Sequence, residues 1–410
     1  MFCNPQPMLQ PTVRSIGAIC RAQRWSRVLL LAGGDASAVE ASLRQATVEV
    51  SVIELQASFA TVDRVDEAVL AARGHDAVIG SGCGGTLDIA KAAAAIAPHD
   101  GQRCADFLSS SGIAAVWPGQ GLPVVAVPLT PTVAATSGRC LIWDEEGGQL
   151  SSLQVQGGAG AGGSVAPAVV IADAELIGLA QPNEAASAQT TQAAAAALAV
   201  IADALLSTSH TFKSAMHIQS VDAALTSARV ALAHPAACGI DALLAANGAG
   251  VAAADGDVTA GAHCCIAHAM ACSAFGRRWS ETGGAILGEA RRPSYASLMA
   301  AMLPNFLRGV ERVGTEHERA AIATLTRAIL GGAAEGAPPA LLADYLDQRY
   351  ADAGLPSGPV LLAGGSGTEF FPAQLALSTW TSRDRTHLVI PPWMITAGSL
   401  IDVLGPESTA

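Results

Sequence analysis

Ser81-Gly82-Cys83-Gly84-Gly85-Thr86-Leu87-Asp88-Ile89-Ala90-Lys91 sits between the apolar run Asp76-Ala77-Val78-Ile79-Gly80 and an alanine-rich stretch. Glycines at such a junction let a backbone approach a ligand closely, and the free N–H groups at a helix start favour an anion such as phosphate. The same composition also suits a packed strand-to-helix turn, so the residues alone leave both readings open. Only Lys91 and Lys213 are lysines in this chain. A lysine kept one turn into this helix has either a specific task or an incidental surface position. Further on, His263-Cys264-Cys265-Ile266-Ala267-His268 carries two side chains of the type that titrates near neutrality and can move protons. On one helix these histidines would point about 140° apart, too far round to share an ion. Arg277-Arg278 and Arg291-Arg292 could hold a carboxylate through the planar arginine fork, or could be solvated loop charges. Asp255 and Asp257 resemble a metal clamp only superficially, His210, His217, His234 and His317 have no partner readable from sequence, and no Gly-x-Ser-x-Gly elbow is present.

The surroundings of these residues narrow the chemistry. The chain has 410 residues and a formal charge of −12; 50% of its residues are hydrophobic and 14% are charged. That is long enough for two cores. An acidic chain argues against nucleic acid as a partner, which would need clustered basic residues. Low charge with many small residues suits closely packed helices and subunit contacts, so a homodimer is expected. No stretch reads as the roughly 20 consecutive apolar residues of a membrane span; Ala193 to Leu206 comes nearest and carries Asp203. The start shows no basic region followed by an apolar one. Nine scattered cysteines without a CxxC pair fit reduced thiols, and a cytoplasmic setting without membrane contact is expected.

The elements that must position the glycine loop alternate in type. Val28–Ala32, running into Gly33-Gly34-Asp35, reads as a buried strand and its loop. A helix follows over 37–45, then a β-branched run over 48–53. Thr61 is placed to cap a helix ending at Ala72; 76–80, 122–127 and 168–173 read as further strands. Such alternation implies a parallel α/β sheet. Gly157 to Gly163 reads as a loop. Beyond Pro182, alanine-rich helical segments take over at 184–206, 219–234, 239–254, 260–275, 294–313, 316–331 and 338–352. The expected organisation is an α/β domain over 1–180 and an α-helical domain over 181–410.

Ile79 to Lys91 resembles the glycine-rich nucleotide loop of the iron-containing alcohol dehydrogenase family, GGGSxxDxxK. Val125-Ala126-Val127-Pro128-Leu129-Thr130 resembles that family's strand ending in Pro-Thr-Thr, and Ala168 to Leu176 its strand ending in Asp-Pro-Glu-Leu. Pro391-Pro392-Trp393-Met394-Ile395-Thr396 resembles its late proline-and-threonine segment. The resemblance implies a dehydroquinate-synthase-like fold: a Rossmann-like parallel sheet domain, then a helical domain closing over a cleft. It implies NAD or NADP as cofactor, with Gly82, Cys83, Gly84, Gly85, Asp88, Lys91 and Thr130 at the cofactor. Cys83 and Gly85 depart from the second Gly and the Ser of the loop, Leu129 replaces a Thr, and Gln149 falls where a nucleotide-contacting Lys is usual. Phosphate contacts made by backbone N–H groups tolerate the first two changes.

Family members hold iron or zinc with one Asp and three His. The resemblance aligns Thr190 with the Asp, Ala194 with the first His, Cys264 with the third ligand and Tyr295 with the fourth, so the family metal is expected to be absent. Metal-independent maleylacetate reductases of the same superfamily carry a His-His-x-x-Cys-His segment, which residues 263–268 resemble at both outer histidines. The activity implied is NAD(P)-dependent interconversion of a small-molecule alcohol and its aldehyde or ketone, with His268, His263 and Tyr295 as hydrogen-bond or proton donors in place of a metal. Two alternatives stand beside it: reduction of an unsaturated keto-acid of maleylacetate type, and a non-catalytic nucleotide-binding relative.

Overall fold

Val28 to Ala32, Ala77 to Gly82 and Val124 to Pro128 are buried at every position. Strands covered on both faces must be apolar or small throughout, which is the reading their composition invites. The computed structural model describes residues 8–55, 60–108, 121–144, 149–154, 165–177, 184–206, 215–255, 294–331, 337–355 and 357. The chain divides into two units at residue 181.

In the first unit, β1 (Met8–Gln10), β2 (Arg27–Ala32), β3 (Glu49–Glu54), β5 (Ala77–Gly82), β6 (Val124–Pro128) and β9 (Val169–Ile171) form one all-parallel sheet in the order β1-β9-β6-β5-β2-β3. Successive side chains leave a strand on opposite faces. Val28, Leu30, Ile79, Val125 and Val127 accordingly meet Ile16 and Cys20 of α1 (Ile16–Gln23) and Val39 and Leu43 of α2 (Ser37–Gln45). Leu29, Leu31, Val78 and Val124 pack on the other face with α3 (Val62–Ala72) and α4 (Gly84–Ile96). Thr61 does cap α3, its side chain accepting the Arg64 N–H. The expected strands and helices of this region are present within a few residues. The sequence reading omitted β1, the two-residue β4 (Ala60–Thr61) and the antiparallel hairpin of β7 (Arg139–Asp144) and β8 (Gln149–Gln154), which with β4 makes a second, three-stranded sheet. The expected loop at 157–163 lies outside the described residues.

Helix α4 is enclosed along almost its whole length: every residue from Gly85 to Ile96 is buried. Its run of alanines combines high helix propensity with a thin profile. A β-carbon at Gly80 would lie 2.7 Å from that of Ala90, so the glycine is what lets the helix settle on β5. Inside this packing lies an ion pair. Lys91 Nζ is 2.9 Å from Asp88 Oδ1, with the two side chains 0% and 8% exposed. Lys91 also donates to the Ser137 carbonyl at 3.3 Å, and Asp88 Oδ2 accepts the Leu141 N–H at 3.2 Å. The pair therefore fastens α4 to the start of β7.

The second unit consists, among its described residues, of α5 (Glu184–Leu206), α6 (Ala215–Ala233), α7 (Gly239–Asp255), α8 (Tyr295–Val313), α9 (Glu316–Leu330) and α10 (Pro339–Asp352). The expected helix over 260–275 falls outside them. Helix α5 is central. Ala193 to Ala199 are all under 5% exposed, and small residues let neighbouring helices approach closely. At Gly248 of α7 a β-carbon would come within 2.9 Å of Ala224 of α6. The reading that no stretch has membrane length needs correction: Ser187–Leu206 is long and apolar enough by length and composition, but 83% of that window is buried inside the protein, as in a core helix. Polar ties close the bundle. Arg308 reaches Asp344 at 2.6 Å and Asp347 at 2.7 Å, and the buried Tyr350 hydroxyl donates to the Ala300 carbonyl at 2.7 Å.

Removing one member of a buried ion pair strands the other charge, at a cost of about 3–5 kcal/mol, whereas replacing both with apolar groups is far less costly. We expect Lys91→Met to lower unfolding stability by an amount in that range in denaturant titrations, and Asp88→Leu/Lys91→Met to recover part of the loss. A Lys91→Met protein as stable as wild type would contradict this role.

Candidate functional site

The chain passes from β2 outward to β3, then returns to the other side of β2 for β5 and continues to β6. Strand order thus reverses between β2 and β5. In open parallel sheets, a crevice forms outside the carboxyl ends at such a reversal, and ligands bind there. Three loops meet at it: Gly33-Gly34-Asp35 after β2, Cys83 after β5, and Leu129 to Thr132 after β6. Hydrogen bonds hold them together just past the strands. Gly33 N donates to the Ser81 carbonyl at 2.7 Å, and Leu129 N donates to the Gly82 carbonyl at 2.9 Å.

Helix α4 starts in this crevice. Its N-cap, Cys83, is extended, with φ −83° and ψ −176°, and makes no side-chain capping bond; no acidic residue stands in the first turn. The first intrahelical bond is donated by Leu87 to the Cys83 carbonyl. The N–H groups of the first turn have no intrahelical acceptor, and the helix dipole adds partial positive charge there. An anion is the natural complement.

The glycines of this junction have different reasons to be glycine. At Gly33 a β-carbon would lie 2.1 Å from Thr86 Oγ1, and at Gly82 it would lie 2.6 Å from the same atom, so both are imposed by the protein's own packing. Gly84 is not so constrained. Its β-carbon would meet Thr132 Oγ1 at 3.4 Å and Ala134 at 3.8 Å, ordinary contacts. The missing side chain at Gly84 leaves the backbone bare at the first position of the helix, a place that a side chain would cover. Beside it, the Ser81 and Thr86 hydroxyls are fully buried with no hydrogen-bond partner. A dinucleotide's phosphate groups fit the free N–H groups and the bare backbone at Gly84.

Gly82, Cys83, Gly84 and Gly85 stand at the junction of β5 and α4, with the half-buried Thr130 on the adjacent loop. Asp88 and Lys91, expected at the cofactor, are instead turned into the protein and occupied with each other, Ser137 and Leu141. Burial raises the Asp88 carboxyl above its usual range, opposed by the Lys91 charge. Gly33, Gly34, Thr86 and Thr132 were not expected at the site; the signal available for them was the glycine pair directly after an apolar strand. Asp35, on the same loop, accepts the Ser37 N–H at 2.9 Å, which holds its carboxyl below the ordinary range.

In the second unit, Tyr295 is the first residue of α8, following the N-cap Ser294. Gln192 Nε2 donates to Ser294 Oγ at 3.1 Å, so the start of α8 lies against α5 beside residues 190–194. Thr190 and Ala194 are fully buried. Alanine has no donor atom and a threonine hydroxyl is a poor substitute for a carboxylate, so this helix face does not fit the Asp–His half of the implied iron or zinc site. The Thr190 and Thr191 hydroxyls have no hydrogen-bond partner. His263, Cys264 and His268 lie outside the described residues.

Comparison with known proteins bears on this arrangement. The family model described as iron-containing alcohol dehydrogenase matches residues 9–175. No curated protein matches the chain in sequence. Among solved structures, an iron-containing alcohol dehydrogenase from Thermococcus thioreducens is 16% identical with a TM-score of 0.73, and the match covers 98% of each chain. NADH-dependent butanol dehydrogenase A from Thermotoga maritima is also 16% identical, with a TM-score of 0.70 over 98% of this chain and 97% of that one. Sulfoacetaldehyde reductase from Bifidobacterium kashiwanohense, solved with NAD+, is 19% identical with a TM-score of 0.72 over 100% of this chain and 98% of that one. At such identities the structural likeness speaks for the fold. The family model thus matches the first unit, and the fold resembles that of solved iron-containing alcohol dehydrogenases over nearly the whole chain.

Proposed function

We propose that the protein is an NAD(P)-dependent oxidoreductase interconverting an alcohol and an aldehyde or ketone. The observation that carries this is the bare backbone at Gly84, at an uncapped helix start, where strand order reverses. The N–H groups of Gly84 and Gly85 would hold the dinucleotide phosphates, with the Thr130 and Thr132 loop and the Gly33-Gly34 loop as walls. The bound nicotinamide supplies or accepts the hydride. What the chain must add is orientation and a proton: in the reducing direction, a side chain polarises the carbonyl and protonates the oxygen as hydride arrives. His268, His263 and Tyr295 are the donors proposed, His268 as the acid. Thr190 and Ala194 support a reaction run without the family metal, because two of its ligand positions carry no carboxylate and no imidazole. The protein is proposed to act as a homodimer in the cytoplasm.

Three measurements test this reading. Gly84→Val adds bulk where the protein itself has room, so it should keep the wild-type melting temperature yet weaken NADH and NADPH binding at least about tenfold by blocking backbone approach. Unchanged fluorescence titrations in that variant would remove the loop from the site.

His268→Ala should lower kcat by about 10²–10⁴, the usual loss for one general acid, while leaving cofactor affinity intact. His263→Ala should do less, and full activity in His268→Ala would move the acid to Tyr295.

Thiol mapping gives a readout independent of turnover. Burial pushes the Cys20 thiol up to about 11 and the Cys140 thiol up to about 12, and raises Cys104 as well, whereas Cys83 is partly exposed at the helix start. Among these four, iodoacetamide should modify Cys83 first, and bound NADH should slow that reaction. Labelling of Cys83 at the same rate with and without saturating dinucleotide would place the cofactor elsewhere.

A further inference from the structure

Thr86 occupies the third position of α4, from which a side chain leans back toward the helix start. It is fully buried. From there one side chain fills the space that two neighbouring residues would otherwise need. Its Oγ1, Cβ and Cγ2 would stand 2.1, 3.1 and 3.3 Å from a β-carbon on Gly33, and 2.6, 2.7 and 2.9 Å from one on Gly82. Gly33 directly follows β2 and Gly82 ends β5, on the two sides of the reversal point. The hydroxyl makes no hydrogen bond. A buried hydroxyl without a partner costs stability, so hydrogen bonding does not explain a threonine here; what remains is its shape.

We infer that Thr86 is a positioning residue: a wedge between the backbones of Gly33 and Gly82 that sets the spacing of the β2 and β5 loops, and with it the aim of the α4 amides at a dinucleotide phosphate. The inference rests on the dinucleotide reading above and adds to it the residue that gives the crevice its width. The two glycines and the threonine then form one matched set, in which neither glycine can gain a side chain unless Thr86 loses its own. Threonine and valine have nearly the same shape, so valine can serve as the wedge; alanine cannot.

The test is a set of four variants, each read by melting temperature and by NADH titration and, where turnover is measurable, by KM and kcat. Thr86→Val should melt at or above the wild-type temperature and bind NADH as wild type does. Thr86→Ala should raise the KM for NADH roughly tenfold, the weight of one well-aimed phosphate hydrogen bond, with kcat little changed. Gly33→Ala should lose stability and binding, and Gly33→Ala/Thr86→Ala should regain part of the lost melting temperature, because the closest clash is with the threonine hydroxyl. If Thr86→Val weakens binding as much as Thr86→Ala, the hydroxyl acts rather than the shape, and the wedge is wrong. If the double variant melts no higher than Gly33→Ala, the matched set is wrong even without any ligand. If the melting temperatures follow the expected pattern but wild type binds neither NADH nor NADPH, the dinucleotide reading has failed and the positioning role falls with it.

Discussion

The candidate site depends on how closely α4 can lie against the carboxyl ends of β2 and β5. A helix with ordinary side chains would stand off from the sheet and leave the three loops too far apart to enclose a phosphate. Here the contact is made by residues with almost nothing to keep them apart: Gly80 against Ala90, and Gly33 and Gly82 against Thr86. The alanines of α4 continue the same thin profile along the helix, which is buried from Gly85 to Ile96. Packing and ligand geometry are thus one constraint, because the turns that bring the helix down onto β5 are the ones that place its free N–H groups in the crevice.

That closeness creates the need for the Asp88–Lys91 pair. An almost fully enclosed helix carrying two charges is tolerable only if they neutralise each other and find further partners, here the Ser137 carbonyl and the Leu141 N–H. Both further partners lie at the entry to β7, so the pair also anchors the hairpin that covers this face of α4. The charges serve the platform on which the site stands. The proposed ligand approach depends on what is absent at Gly84, a side chain over the first turn.

Much of this was legible in the chain. The apolar runs at 28–32, 76–80 and 122–127 could be nothing but buried strands once helical patterns were seen between them, and Thr61 marked the start of α3 by its type and place. The edge strand β1 and the β7–β8 hairpin were not legible. β1 is only three residues long, with Met8 and Leu9 exposed, and Arg139 to Asp144 mixes charged, aromatic and aliphatic residues whose pairing is decided by α4 beneath them. At the site, the glycine loop was readable from its setting between strand and helix. Asp88 and Lys91 were expected at the cofactor because they match the family's GGGSxxDxxK pattern, yet their spacing of three on one helix lets them satisfy each other. Thr86 gave no signal in sequence, since its role is defined by two glycines, one of them more than fifty positions away. Ala194 and Thr190 needed no structure to be read as poor ligands, and their burial in α5 adds that this face is part of the helical core.

The central claim, that the first turn of α4 holds the phosphates of a dinucleotide, is tested most directly by hydrogen exchange on the wild-type protein with and without saturating NADH or NADPH. The N–H groups at this helix start lack intrahelical acceptors and should exchange quickly in the free protein. The account predicts that either or both dinucleotides slow exchange in peptides covering residues 82–87, together with the loops at 33–35 and 129–132. Protection confined to other segments, with exchange over 82–87 unchanged, would contradict it.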